Sequence, residues 1–142
     1  MLPTPSRIGG LRWAMVTTLF AVLLAALYLC VAWYMIWLRR LAKQKQADWP
    51  LRWYDRCGHG RDHMAQYLPL ALLLMLLIEQ GGAAPWLLYL LGLLLLAGFL
   101  LHLWGFAQYP GQYKTPAVGT VLISLVYGIA CLVGLGQFLG VA

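Results

Sequence analysis

From residue 13 to residue 38 the chain carries no formal charge, and Arg39-Arg40 closes the run. A helix needs about 20 mostly apolar residues to cross the hydrocarbon of a bilayer. The run therefore reads as a membrane-spanning helix. It is too long for the apolar stretch of a cleaved signal peptide, which typically has about 7–15 residues and a small-residue exit. Cys30 follows Leu29 rather than a small residue, so a lipoprotein cleavage site is not expected either. Composition agrees with a membrane class: 63% of the residues are hydrophobic and 10% charged, with a mean hydropathy of +0.76. A soluble domain is nearer half apolar and a quarter charged. A soluble enzyme domain, a disordered tail and a nucleic-acid module are thereby excluded, despite the net charge of +6. Cys30, Cys57 and Cys131 are too few and too scattered for a disulfide framework.

The rest of the chain supplies three more apolar segments. The expected architecture is all-α: a single membrane domain over 1–142, with four transmembrane helices at about 13–38, 61–79, 83–106 and 116–139. A basic loop is expected over 39–60. Gly81-Gly82 followed by Pro85 predicts a tight turn, so helices two and three form an antiparallel hairpin. Gln108 to Gln112 predicts a turn between helices three and four, and Pro116 suits the first position of a helix. Gly92, Gly98 and the glycines of helix four read as sites of close helix packing.

Basic residues set the expected orientation. Seven of the ten Lys and Arg residues lie between helices one and two, and Lys114 lies between three and four. With four spans these two connections share a side, which the positive-inside rule makes cytoplasmic, with both termini outside. Trp33, Trp37, Trp49, Trp53, Tyr109 and Tyr113 are expected at one interfacial level. The basic loop is expected to contact lipid headgroups.

A sharper feature follows Pro50. Arg52, Arg56, His59, His63 and Gln66 are spaced 4, 3, 4 and 3, which puts them on one stripe of a helix. Gly58 and Gly60 each cost roughly 1 kcal/mol of helix propensity relative to Ala, so helix two is expected to begin near Gly60. Polar side chains at membrane depth are costly and usually face a bundle interior or a wet cavity, which makes His63 and Gln66 site candidates; hydrogen bonds to neighbouring helices are the plainer use. Pro69 removes the amide that would bond the carbonyl of Ala65 and can kink the helix there. His102 reaches the level of His63 from helix three, with Lys114 just beyond. A cleft lined by Arg56, Arg61, His63, Gln66, His102 and Lys114 would be cationic and half-buried. It would suit a small anionic ligand and favour a bound thiolate.

Other chemistries are weaker. Cys57, His59, Asp62 and His63 are zinc-type ligands close in sequence, but two glycines interrupt them and no partner Cys/His pair lies elsewhere. His63 and His102 could be an axial pair for haem, with no further support. No metal site is expected, and no Ser/His/Asp set, Walker loop or dinucleotide fingerprint is present.

The stretch Arg61-Asp-His63-Met-Ala-Gln66-Tyr67-Leu-Pro69, the turn Glu79-Gln-Gly-Gly and the pattern Gly98-x-x-x-His102-x-Trp-Gly105 resemble the MAPEG family, membrane-associated proteins in eicosanoid and glutathione metabolism. The family includes microsomal glutathione transferases and small bacterial relatives. The resemblance covers about 52–140, with helix one alike only in kind. Active members carry an Asn and, three residues later, a Glu on helix two; here these positions hold His63 and Gln66, while Tyr67 and Pro69 match. On helix three the pattern Gly-Arg-x-x-His becomes Gly98-Phe99-x-x-His102. The family Arg before helix four falls at Pro116, with Lys114 as the nearest base.

The resemblance implies a homotrimer in a bacterial inner membrane, with sites between subunits open to the cytoplasm. It implies glutathione as co-substrate and an apolar electrophile or lipid hydroperoxide from the bilayer. His63 and His102 would then be catalytic, and Arg56, Arg61, Gln66, Tyr67 and Lys114 would bind glutathione. Two function classes follow. One is a glutathione-dependent transferase or peroxidase acting on lipophilic substrates. The other is a non-catalytic subunit that binds membrane lipid or scaffolds a larger membrane complex, since Gln66 cannot serve as a carboxylate.

Overall fold

In the computed structural model the chain is described over residues 5–46, 48–107 and 114–141, with side chains over 15–46, 48–105 and 117–141. It forms four helices, α1 (Pro5–Lys45), α2 (Trp49–Gln80), α3 (Pro85–Ala107) and α4 (Lys114–Phe138). All four are long and apolar enough to cross a membrane. The chain is thus an all-helical integral membrane protein. Helix α1 packs along α2, and α3 along α4; α2 also touches α3 and α4, and α1 touches α3.

Of the loop expected over 39–60, residues 39–45 and 49–60 are helical, a correction to the sequence reading. Arg and Lys are good helix formers, so charge density is no sign of a loop. The start signal is Pro50 in the first turn of α2, where a missing amide costs nothing. Gln46 adopts φ 46°, the left-handed conformation that turns the chain. Helix α2 also continues through Gly58 and Gly60: Gly60 is buried, and a Cβ on Gly58 would meet the Met35 side chain at 3.6 Å. Packing against α1 offsets their low propensity.

The two first helices outrun the other pair. At 1.5 Å per residue, α1 with 41 residues and α2 with 32 measure about 61 and 48 Å, against roughly 30 Å of hydrocarbon. They form a helical hairpin that extends past the adjoining ends of α3 and α4. Trp33, Trp37 and Trp104 are all well exposed, as an aromatic belt requires. Trp49, the first residue of α2, is exposed as well. Tyr109 and Tyr113 lie outside the described residues.

The core is apolar. Phe20 and Leu24 of α1, Met64, Met75 and Ile78 of α2, Leu88 to Phe99 of α3 and Ile123, Val126 and Ala130 of α4 supply it. Two close approaches fix the helices. The Phe20 ring lies where a Cβ on Gly92 would stand, at 2.2 Å. A Cβ on Gly119 would lie 2.6 Å from the Gly98 carbonyl oxygen and 2.9 Å from the His102 nitrogen, so α3 and α4 cross backbone to backbone.

At the opposite end, α2 stops in a Schellman turn. The Gly82 and Ala83 amides donate to the Glu79 and Ile78 carbonyls, with Gly82 at φ 89°. Glu79 itself is buried, and its carboxylate accepts the backbone N–H groups of Val16 at 3.2 Å and Thr17 at 3.1 Å. This clasp ties the C-terminal end of α2 to α1. Sequence reading placed Glu79 in a turn motif and gave it no partner.

Candidate functional site

The helical hairpin makes the polar stripe continuous. Arg52, Arg56, His59, His63 and Gln66 all lie on α2 and are exposed or half-exposed, so they share one face running from the hairpin into the membrane. Its inner end opens into a groove of about 610 Å³ lined by His59, Asp62, His63, Gln66, His102 and Thr120. Three helices contribute. Thr120 reaches it because Gly119 lets α4 rest directly on the backbone of His102.

The centre of the site is a pair of imidazoles. The His63 ring stacks on His102 with centroids 4.0 Å apart and planes inclined by 22°. Tyr67, one turn on, tilts against His63 with centroids 4.4 Å apart. Phe99 presents an edge at 6.3 Å. His102 is buried at 5% exposure, while His63 is half-buried. His63 Nε2 is buried and has no hydrogen-bond partner among the described residues. An imidazole nitrogen donates or accepts according to tautomer, so this atom carries an unmet hydrogen bond on a residue that lines a polar groove.

Of the residues picked from sequence, His63, Gln66 and His102 meet in the groove, and Tyr67 leans on His63. Arg56 does not line it; its guanidinium lies 5.8 Å from the Trp53 ring centre. Arg61 turns to Asp62, donating from Nη2 at 3.0 Å and Nε at 3.2 Å to the same carboxylate oxygen. The reason is periodicity: Arg61 stands two residues from His63, which on a helix turns it well away from the stripe. Lys114 is the first residue of α4, and its side chain lies outside those described. The groove's described lining is thus imidazole, amide, hydroxyl and one carboxylate, rather than the cationic cleft expected.

Thr120, Asp62 and Phe99 are the additions. Thr120 follows Gly119, and a glycine that brings two helices into backbone contact marks its neighbour as near the partner helix. Asp62 was weighed only as a metal ligand. Phe99 is fully buried, filling with an apolar ring the place where the family pattern has Arg. Among the described residues no three His, Cys, Asp or Glu side chains are grouped to hold a metal ion.

Comparison with known proteins fits this architecture. The model of the MAPEG family matches residues 17–134. Inner membrane protein YecN of Escherichia coli strain K12 is 33% identical over 92 residues, covering 65% of this chain and 70% of its own. The protein of the same name from Escherichia coli O6:H1 strain CFT073 matches to the same extent.

Proposed function

The chain belongs to the MAPEG family, and from that premise we propose that its groove binds glutathione and stabilises the thiolate for reaction with lipophilic electrophiles or hydroperoxides. The observation that carries this reading is His63 itself, which lines the groove half-buried, stacks on His102 and has no hydrogen-bond partner for Nε2 among the described residues. A thiol placed there passes its proton to the imidazole, and the resulting thiolate stays beside the cation it made. In a transferase step the sulfur then forms a bond to the electrophilic carbon, and the electron pair of the broken bond leaves with the departing atom. His102, stacked on His63, holds that ring in place. Gln66 and Thr120 offer hydrogen bonds to the peptide groups. Arg56, one turn before His59, and Lys114, at the start of α4, would supply cations for the carboxylates; Arg61 takes part only by exchanging Asp62 for ligand. An exposed pair of that kind is worth about 0–1 kcal/mol, so the exchange is inexpensive.

The groove lies open on one face of the single chain, which supports completion by a neighbouring copy in a homotrimer. The basic hairpin supports an orientation with residues 39–60 in the cytoplasm and both termini outside.

A second reading is favoured by Phe99 and Gln66 together. An aromatic ring and an amide stand where the family pattern has Arg and Glu, which leaves the site poor in charge and suited to binding lipid without turnover. Difference ultraviolet spectra separate the two. Wild-type protein in detergent should show a saturable thiolate absorbance on adding glutathione, and His63→Ala should abolish it. No thiolate signal and no glutathione-dependent thermal stabilisation would leave the lipid-binding reading.

A further inference from the structure

Tyr127 stands on α4, two helical turns beyond Thr120, and takes no part in lining the groove. Its hydroxyl donates to the backbone carbonyl of Tyr67 on α2. In a regular helix that carbonyl is the acceptor for the Ala71 amide. The hydroxyl therefore sits at the step of the α2 ladder between Tyr67 and Ala71. Pro69 lies inside the same turn and has no N–H for the Ala65 carbonyl. A helix turn that has lost one bond to proline and shares another with a neighbouring hydroxyl takes its local bend from that neighbour.

The rings carry this outward. Tyr127 meets Tyr67 edge to face, with centroids 6.2 Å apart and an angle of 82°. Tyr67 leans on His63 at 4.4 Å, and His63 stacks on His102 at 4.0 Å. The series runs from α4 through α2 to α3 with each ring against the next. We propose that Tyr127 is a positioning residue for the histidine pair: it anchors Tyr67 at backbone and ring, and Tyr67 in turn sets the pose of His63 over His102. The effect on glutathione rests on the functional reading above; the effect on the imidazoles does not.

The α4 helix supplies its own control. Gln137 Nε2 donates to the Ile78 carbonyl of α2 at 3.0 Å, a side-chain bond to the same helix with no ring attached. The test uses full-length protein labelled at histidine, in lipid nanodiscs, read by NMR of the imidazole groups. Tyr127→Phe keeps the ring and removes the hydroxyl. It should move the His63 and His102 resonances by more than a linewidth, while Gln137→Met leaves them in place. Where wild type binds glutathione with a thiolate signal, Tyr127→Phe should weaken binding about fivefold, the change that one net hydrogen bond supports. Unmoved imidazole resonances in Tyr127→Phe would overturn the proposal, as would equal movement in Gln137→Met. A wild type without thiolate signal would defeat the glutathione reading alone, because the imidazole measurement still decides the role of Tyr127.

Discussion

Two alanine substitutions on α4 should have opposite effects. Gly119 and Gly128 lie nine residues apart on one helix, and both are replaceable by Ala without adding a polar atom. At Gly119 the new methyl would lie 2.6 Å from the Gly98 carbonyl oxygen, against the 3.4 Å where ordinary contact begins. It would also meet the His102 backbone nitrogen at 2.9 Å. Neither neighbour is the flexible end of a side chain, so the helices themselves must separate by several tenths of an ångström. Overpacking of this kind costs typically 1–3 kcal/mol, and backbone against backbone puts it at about 3. Helix propensity returns about 1 kcal/mol, leaving a net loss of about 2. At Gly128 nothing lies within 4 Å of the new methyl, and only the propensity gain of about 0.5–1 kcal/mol remains. Unfolding in a mixed-micelle denaturant series should therefore separate the variants by about 3 kcal/mol. Gly119→Ala should also disturb the groove, because Thr120 moves with α4. Equal stability of the two variants would refute the backbone crossing as the device that seats Thr120 beside His102.

Three further outcomes are expected. Glu79→Ala removes the acceptor of two amides, and bonds to a charged group are worth about 1.5–3 kcal/mol each; stability should fall by roughly 3 kcal/mol or more, with faster amide exchange at Val16 and Thr17, and Glu79→Gln should lose less. Phe99→Ala opens a hole beside His63 at a fully buried position, so a loss of about 3–5 kcal/mol in the same denaturant series is expected. A membrane-impermeant maleimide applied to sealed vesicles should modify half-buried Cys57 on the hairpin from the cytoplasmic side only, and leave Cys30 and Cys131, within the spans, untouched from either side.

The apolar segments were legible because nothing competes with hydrophobicity in their interpretation. Helices three and four were expected at 83–106 and 116–139 and run Pro85–Ala107 and Lys114–Phe138, each edge marked by Gly or Pro. The hairpin between helices one and two was not legible by the same rule. There, residues that stop a membrane span were taken to stop a helix, although the two are separate events: Arg39 and Arg40 end the burial in lipid while the backbone bonds continue to Lys45. The stripe of Arg52, Arg56, His59, His63 and Gln66 did carry the information, since its 4, 3, 4, 3 spacing has meaning only on a helix. Gly58 and Gly60 argued against it with about 1 kcal/mol each, a preference that packing on α1 overrides.

The site shows what spacing can and cannot convey. His63 and Gln66 share a face of α2, and His102 follows from counting the turns of an antiparallel partner, so three lining residues come from periodicity and topology. Thr120 and Tyr127 depend on the rotation of α4 about its own axis. That rotation is fixed by contacts such as Gly119 on the Gly98 carbonyl and the bonds of Tyr127 and Gln137 to α2, and no apolar pattern on so uniformly hydrophobic a helix records it. Arg61 departs from the expected cleft for the converse reason: charge alone carries no direction, and its guanidinium is held by its neighbour Asp62. With Phe99 filling the place of a cation and Arg61 drawn aside, the described groove carries more imidazole than charge. The glutathione reading proposed above accordingly rests on proton transfer at His63 rather than on a cluster of cations, and the lipid-binding reading on hydrogen bonds from the polar lining.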